Sequence, residues 1–226
     1  MSLKAVIFDM DGVLVDTEPF YIQQTYKFFE RRGIEIPKED LLSLAGMSAQ
    51  KGFKLRRDWL NPQMPMDVFL SLFFEETGKE PLDYQDVIFP YVHYIIPRLH
   101  EHRNLKIAIA SSSGIAHIHE TVQKARLTGY IDVLTSGVDF ENSKPDPEIY
   151  ISTLNKLGVK PHEAIAVEDS TYGIVAANRA QIPVIARRDI RFPFDRTTAD
   201  WVVDDLMHAY NLICDLQVSD FFNSTY

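Results

Sequence analysis

The run Ala5-Val6-Ile7-Phe8 followed by Asp9-Met10-Asp11-Gly12 constrains this chain more than any other stretch of it. Four apolar residues are too few for a helix, and no polar residue interrupts them. The run therefore reads as a strand buried on both faces, as in a parallel sheet. In open α/β sheets, ligands bind beyond the carboxyl ends of the strands, and this strand delivers two aspartates there. Gly12 lets the backbone turn sharply without a Cβ penalty. Two such carboxylates repel each other, and burying them unpaired is expensive. A divalent cation is the simplest way to keep them together, and hard oxygen ligands with no His or Cys nearby suit Mg²⁺ rather than Zn²⁺. A plain Asp-x-Asp-Gly turn, with the aspartates bonded only to local backbone, is the competing reading of these residues.

Past the turn the pattern changes. From Thr17 to Glu80, residues such as Tyr21, Phe28, Phe29, Trp59, Phe69 and Phe73 recur at helical spacings, punctuated by Gly33, Pro37, Gly46, Pro62, Pro65 and Gly78. This predicts four or five short helices and no strand. Segment 85–102 is helical again, with an interruption at Pro97. Strands and helices then alternate: strand 105–110, helix 115–126, strand 131–134, helix 147–157 with Pro147 in its first turn. Strand 164–167, helix 171–180, strand 184–186, strand 201–203 and a last helix at 205–216 complete the series, with a partly disordered tail beyond. Such alternation predicts an α/β fold, a Rossmann-like three-layer core with a parallel sheet between helices. The helical block is then an insertion after the first strand. The core is residues 1–15 and 87–226, and the inserted domain is 16–86.

Three further segments place reactive groups at strand ends. The strand Leu105–Ala110 ends in Ser111-Ser112-Ser113-Gly114, where a hydroxyl and the amides opening a helix make an anion cradle. A serine N-cap accounts for the same residues. Ser143-Lys144-Pro145-Asp146-Pro147 holds a lysine on a segment stiffened by two prolines, and its compact ammonium suits a phosphoryl oxygen. Ala164-Ile165-Ala166-Val167 delivers Glu168-Asp169, a second pair of carboxylates. If that strand lies beside the first, four carboxylates meet and require a cation. Glu-Asp as a dipole-favoured helix start is the alternative. The combination of all four segments favours a functional site.

Composition narrows the class. A net charge of −9 argues against non-specific nucleic-acid or anionic-membrane binding, although a bound cation still permits a phosphorylated ligand. The single cysteine, Cys214, allows no internal disulfide and fits a reducing compartment; it reads as a buried helix residue. No apolar run reaches the roughly 18 residues of a membrane span, and no signal-peptide core precedes the first strand. The expected location is the cytoplasm, as a monomer or weak dimer.

In order and spacing, Asp9-Met10-Asp11-Gly12-Val13, Ser111, Lys144-Pro145-Asp146-Pro147 and Glu168-Asp169 resemble the four motifs of the haloacid dehalogenase-like hydrolase superfamily. Asp16-Thr17-Glu18 and Gly173-Ile174 match as well, so the resemblance covers essentially the whole chain. It places the chain near the helical-cap subgroup that holds β-phosphoglucomutase, phosphoglycolate phosphatase and sugar-phosphate phosphatases. The resemblance implies Asp9 as nucleophile and Asp11 as general acid, then base. It implies Ser111, Ser112 and Lys144 as phosphate-binding residues. For the Mg²⁺ site it implies Asp9, Asp11 through its backbone carbonyl, and Asp169, together with Glu168, which orients the site or a bound water. The expected partner is a small phosphorylated metabolite, a sugar or polyol phosphate. Mutases of this subgroup carry polar residues where this chain has Tyr21, Ala45, Ala49 and Ile115, which favours a phosphatase. A phosphomutase is the second reading, and a non-catalytic binding protein on the same fold the third.

Overall fold

The computed structural model describes residues 3–78 and 82–223, the last five of these as helix backbone. Two compact units emerge: Met1–Asp16 with Tyr84–Tyr226, and Thr17–Asp83. The larger unit is a six-stranded parallel sheet in the order β3-β2-β1-β4-β5-β6. Its strands are β1 (Ala5–Phe8), β2 (Lys106–Ser111), β3 (Val133–Ser136), β4 (Ala164–Glu168), β5 (Val184–Arg187) and β6 (Trp201–Val203). The α/β architecture expected from the strand and helix alternation is the one observed.

The smaller unit contains α1 (Glu18–Glu30), α2 (Lys38–Leu42), α3 (Ala49–Leu60) and α4 (Met66–Thr77). In the larger unit, α5 (Tyr84–Val87) and α6 (Val92–Pro97) precede β2, and α7 (Ile115–Lys124) follows it. Then come α8 (Glu148–Leu157), α9 (Thr171–Arg179) and α10 (Leu206–Asn223). No helix among the described residues is long and apolar enough to cross a membrane.

Alternation within the strands explains the layering. In a strand, successive side chains point to opposite faces. One face of the sheet collects Val6, Phe8, Ile107, Ile109, Ile165, Val167 and Ile185, packed with residues of α6, α7 and α10. The other collects Ala5, Ile7, Ala108, Ala110, Ala164, Ala166 and Ala186, against α8 and α9. Alanine on a strand presents little side chain, so it leaves room for the backbone of α9, itself built from Gly173, Ala176 and Ala177. Bulk on one face and its absence on the other are thus both written in the strand sequences.

Several boundaries depart from the sequence reading. The 85–102 segment breaks between α5 and α6, because Ile88 bridges to Val15 and the Phe89 amide donates to the Leu14 carbonyl. The interruption expected at Pro97 is present: Pro97 has no N–H to give, and α6 passes into a wider π turn at Arg98–His102. Strand β3 starts two residues late, since the Asp132 carboxylate accepts the Ile107 amide in place of a ladder bond. Pro147 sits at the N-cap of α8 rather than in its first turn. The last helix runs beyond 216 to Asn223; Gln217 fixes its extension by donating to the Arg103 carbonyl. The tail beyond Asn223 lies outside the described residues. Cys214 is buried in α10.

The smaller unit has its own core of Phe28, Phe29, Phe69 and Phe73, flanked by Phe53 and Trp59. Phe28 and Phe69 meet edge to face at 6.1 Å between centroids, a geometry that the ring quadrupoles favour. Arg32 closes this core, its guanidinium 3.7 Å from the Phe28 centroid and paired with Glu76. With Phe69 fully buried, Phe69→Ala is expected to lower stability by about 3–5 kcal/mol. Urea unfolding checks this; a loss below about 1 kcal/mol would contradict the packing described.

Candidate active site

The register of the sheet dictates where the reactive groups fall. Phe8 pairs with Ile109 of β2 on one side and Val167 of β4 on the other. One residue further, Asp9 therefore stands between the ends of both neighbours, and its amide donates to the Val167 carbonyl at 2.9 Å. Carboxylate oxygens of Asp9, Glu168 and Asp169 lie within 4.8 Å of one another, all three residues buried. The separate strand ends recognised in the sequence thus converge on one point.

Lys144 holds that point together. Its ammonium donates to Asp9 Oδ1 at 2.6 Å, to Glu168 Oε1 at 2.6 Å and to the Ala110 carbonyl at 2.9 Å. Burial disfavours its charge, but the two carboxylates outweigh that and raise its pKa above the ordinary lysine value. Burial pushes the Asp9 carboxyl up to about 8, against the pull of Lys144 and with the help of the Glu168 charge. The cluster thus gathers three buried carboxyl groups around one ammonium. A hard divalent cation fits this oxygen-only donor set, and Asp9 and Asp169 are the residues that can supply it. Glu168 is differently engaged. Its Oε1 takes both Lys144 and the Tyr150 hydroxyl, the latter at 2.5 Å, while Oε2 accepts from the Asp169 amide and Ser170 Oγ at 3.3 and 3.5 Å.

Two glycines make the crowding possible. A Cβ on Gly12 would stand 2.2 Å from Asp169 Oδ2, and the residue has φ +82°, a conformation that only glycine adopts readily. A Cβ on Gly173 would stand 2.1 Å from the Glu168 carboxylate. The first turn of α9 is thus bare where Glu168 lies on it.

The hydroxyl segment divides. Ser111 is buried at the end of β2, its Oγ accepting the Ser113 amide at 3.1 Å, which leaves its hydroxyl hydrogen to donate elsewhere. Ser113 Oγ donates to Asp11 Oδ2 at 3.2 Å, and the Ser113 carbonyl accepts from Ser136 Oγ at 2.9 Å. Ser112 was expected with Ser111, yet among the described residues no hydrogen bond ties its side chain to the site. Asp11 is half-buried and stands apart from the group of three clustered carboxylates.

Ser113, Tyr150 and Arg187 escaped the sequence reading. Tyr150 left one usable signal: a buried tyrosine hydroxyl needs a partner, and three residues after Pro147 it faces the sheet. Arg187 lies just past the apolar run of β5. It donates through Nε to the Gly12 carbonyl at 2.7 Å and pairs with Asp189 at 3.0 Å. Burial opposes the Asp189 charge, but hydrogen bonds from Arg191 and Arg187 hold its carboxyl well below the usual range.

The family model for haloacid dehalogenase-like hydrolases matches residues 6–187. The chain belongs to that family. It is 30% identical over 183 residues to the "phosphorylated carbohydrates phosphatase" of Thermotoga maritima, covering 80% of this chain and 82% of that protein. It is 29% identical over 207 residues to hexitol phosphatase B of Escherichia coli, covering 84% and 89%. β-Phosphoglucomutase of Clostridium difficile shares the fold at a TM-score of 0.75 and 23% identity, over 93% of this chain and 98% of that one. This is a hydrolytic enzyme family, and relatives on both sides of the phosphatase and mutase divide share its architecture.

Gly173→Ala is expected to force the Glu168 carboxylate off α9, at about 1–3 kcal/mol of stability. Chemical denaturation measures it. An alanine variant as stable as the parent would show that Glu168 is not confined as described.

Proposed function

We propose that this protein is a Mg²⁺-dependent phosphatase of a small phosphorylated metabolite, a sugar or polyol phosphate, acting through an aspartyl-phosphate on Asp9. The observation that carries the reading is Asp9 fixed by Lys144 at the central strand end, with the Asp169 carboxylate beside it and Asp11 two residues away. Asp9 and Asp169, with the backbone carbonyl of Asp11, would hold the Mg²⁺, while Glu168, saturated by protein donors, orients Lys144. The metal, when bound, offsets negative charge on the phosphoryl oxygens.

An oxygen of the Asp9 carboxylate attacks phosphorus, the bond to the leaving oxygen breaks, and that oxygen takes a proton from Asp11. Asp11 then accepts a proton from water as the water oxygen attacks the same phosphorus. The bond from phosphorus to Asp9 breaks, releasing inorganic phosphate and restoring both carboxyl groups. Ser111 donates to a phosphoryl oxygen, and the Lys144 charge beside Asp9 stabilises the phosphoryl oxygens electrostatically. Ser113 orients Asp11 through its hydroxyl. Ser112 is proposed only as a contributor of backbone to the phosphate cradle.

Hydrolysis is favoured over mutase chemistry because a mutase must hold a bisphosphate while it reorients. At Ala45, Ala49 and Ile115 this chain carries hydrocarbon where mutases of the subgroup are polar, and Tyr21 stands at the fourth such position. The two phosphatases named above, one of phosphorylated carbohydrates and one of hexitol phosphate, point to the same substrate class. Phosphate release from hexose and hexitol 6-phosphates is expected with Mg²⁺ and lost in EDTA. Asp9→Asn is expected to lower turnover by more than about a thousandfold. Near-normal turnover in that variant would rule out Asp9 as nucleophile. Glucose 6-phosphate forming from β-glucose 1-phosphate faster than inorganic phosphate would establish the mutase instead.

A further inference from the structure

The turn from Met10 to Val15 is tied within itself and from outside. Internally, the Met10 carbonyl accepts the amides of Val13, Leu14 and Val15 at 3.3, 2.8 and 3.1 Å, and the Gly12 amide donates to the Val15 carbonyl at 2.8 Å. The external tie is Arg187. Its Nε donates to the Gly12 carbonyl at 2.7 Å, its guanidinium pairs with Asp189 at 3.0 Å, and it lies 4.0 Å from the centroid of the Phe89 ring. Phe89 is itself fastened to the turn, donating its amide to the Leu14 carbonyl at 3.0 Å. From the far side, Arg191 pins Asp189 at 2.9 Å through Nε and grips both Asp16 oxygens at 2.8 Å.

A buried arginine is costly unless its donors are used, and its planar fork suits several acceptors at once. Arg187 uses that fork on the one residue of the turn with the greatest conformational freedom. At φ +82°, Gly12 has no side chain to fix it, and the approach of Asp169 leaves space only for hydrogen. The Gly12 carbonyl shares a planar peptide with the Val13 amide, whose bond to Met10 is the longest of the turn at 3.3 Å, and Arg187 holds that peptide from the carbonyl side. Asp11 is joined to Gly12 by a single peptide, so the setting of the Gly12 backbone carries over to the Asp11 carboxylate at Ser113.

We propose that Arg187 is a positioning residue for Asp11: held by Asp189 and Phe89, it locks the Gly12 peptide so that the Asp11 carboxyl meets the leaving oxygen of the substrate. This rests on the reading of Asp11 as the acid that protonates that oxygen as its bond to phosphorus breaks. Arg187 touches no reacting atom. Its effect therefore falls selectively on the step in which the leaving oxygen needs a proton.

Two esters of nearly the same shape separate this role from a structural one. 4-Nitrophenolate leaves readily without protonation, whereas phenolate depends far more on the acid. The measurement is kcat/KM for phenyl phosphate relative to 4-nitrophenyl phosphate, with Mg²⁺, in the full-length protein. In Arg187→Met this ratio is expected to fall by at least about tenfold, within the range that a misplaced acid costs. Arg187→Lys is expected to fall less, since an ammonium reaches one of the partners. Asp189→Asn, which releases Arg187 without altering it, is expected to shift the ratio in the same direction and serves if Arg187→Met does not fold. Equal slowing of both esters, or no change in the ratio, would overturn the proposal and leave Arg187 as a structural residue. Asp11→Asn separates the two levels: an unchanged ratio there, or a parent protein that hydrolyses neither ester, would overturn the reading of Asp11 on which the proposal depends.

Discussion

Everything at this site depends on one buried ammonium. Lys144 reaches the ends of three strands at once: Asp9 after β1, Ala110 in β2 and Glu168 of β4. A lysine in this position is expensive to desolvate, and two buried carboxylates are more so, but each makes the other tolerable. The arrangement is stable only as a set. It also brings the Asp169 carboxylate beside Asp9 and Glu168. A buried cluster of oxygen donors of this kind fits a hard divalent cation.

The strands on which the set depends are arranged for it. Alanines on one face of the sheet let the small-residue turn of α9 come down over β4, and Gly173 then leaves the space that the Glu168 carboxylate fills. On the other side of Asp169, Gly12 does the same at the turn after β1. Side-chain size, which governs packing in the core, thus determines how closely the charged groups above it assemble. The fold and the site are not separate achievements of this sequence.

Much of this was legible before any coordinate. Three short strand runs, each followed by acid or hydroxyl residues, implied parallel strands and a common edge. The stiff Lys144-Pro145 segment implied a held lysine. What could not be read lies in contacts between distant segments. Arg187 drew no reading from the sequence, because nothing local indicates that its guanidinium meets Gly12, 175 residues earlier. Tyr150 and Ser113 are similar cases: their partners, Glu168 and Asp11, come from other elements. Ser112, adjacent to Ser111 in sequence, has no side-chain hydrogen bond to the set among the described residues. The boundaries of β3 and of the 85–102 segment moved for the same reason, since side chains of Asp132 and backbone of Val15 replaced the regular bonds assumed there.

The central claim is that Asp9 itself carries the phosphoryl group during turnover. Rapid acid quench of the enzyme mixed with ³²P-labelled sugar phosphate, followed by peptide mapping, tests it directly. The account predicts a transient acyl-phosphate label on the peptide containing Asp9, formed before inorganic phosphate appears and abolished by Asp9→Asn. Phosphate released at full rate with no labelled enzyme, or a label on any other residue, would contradict it.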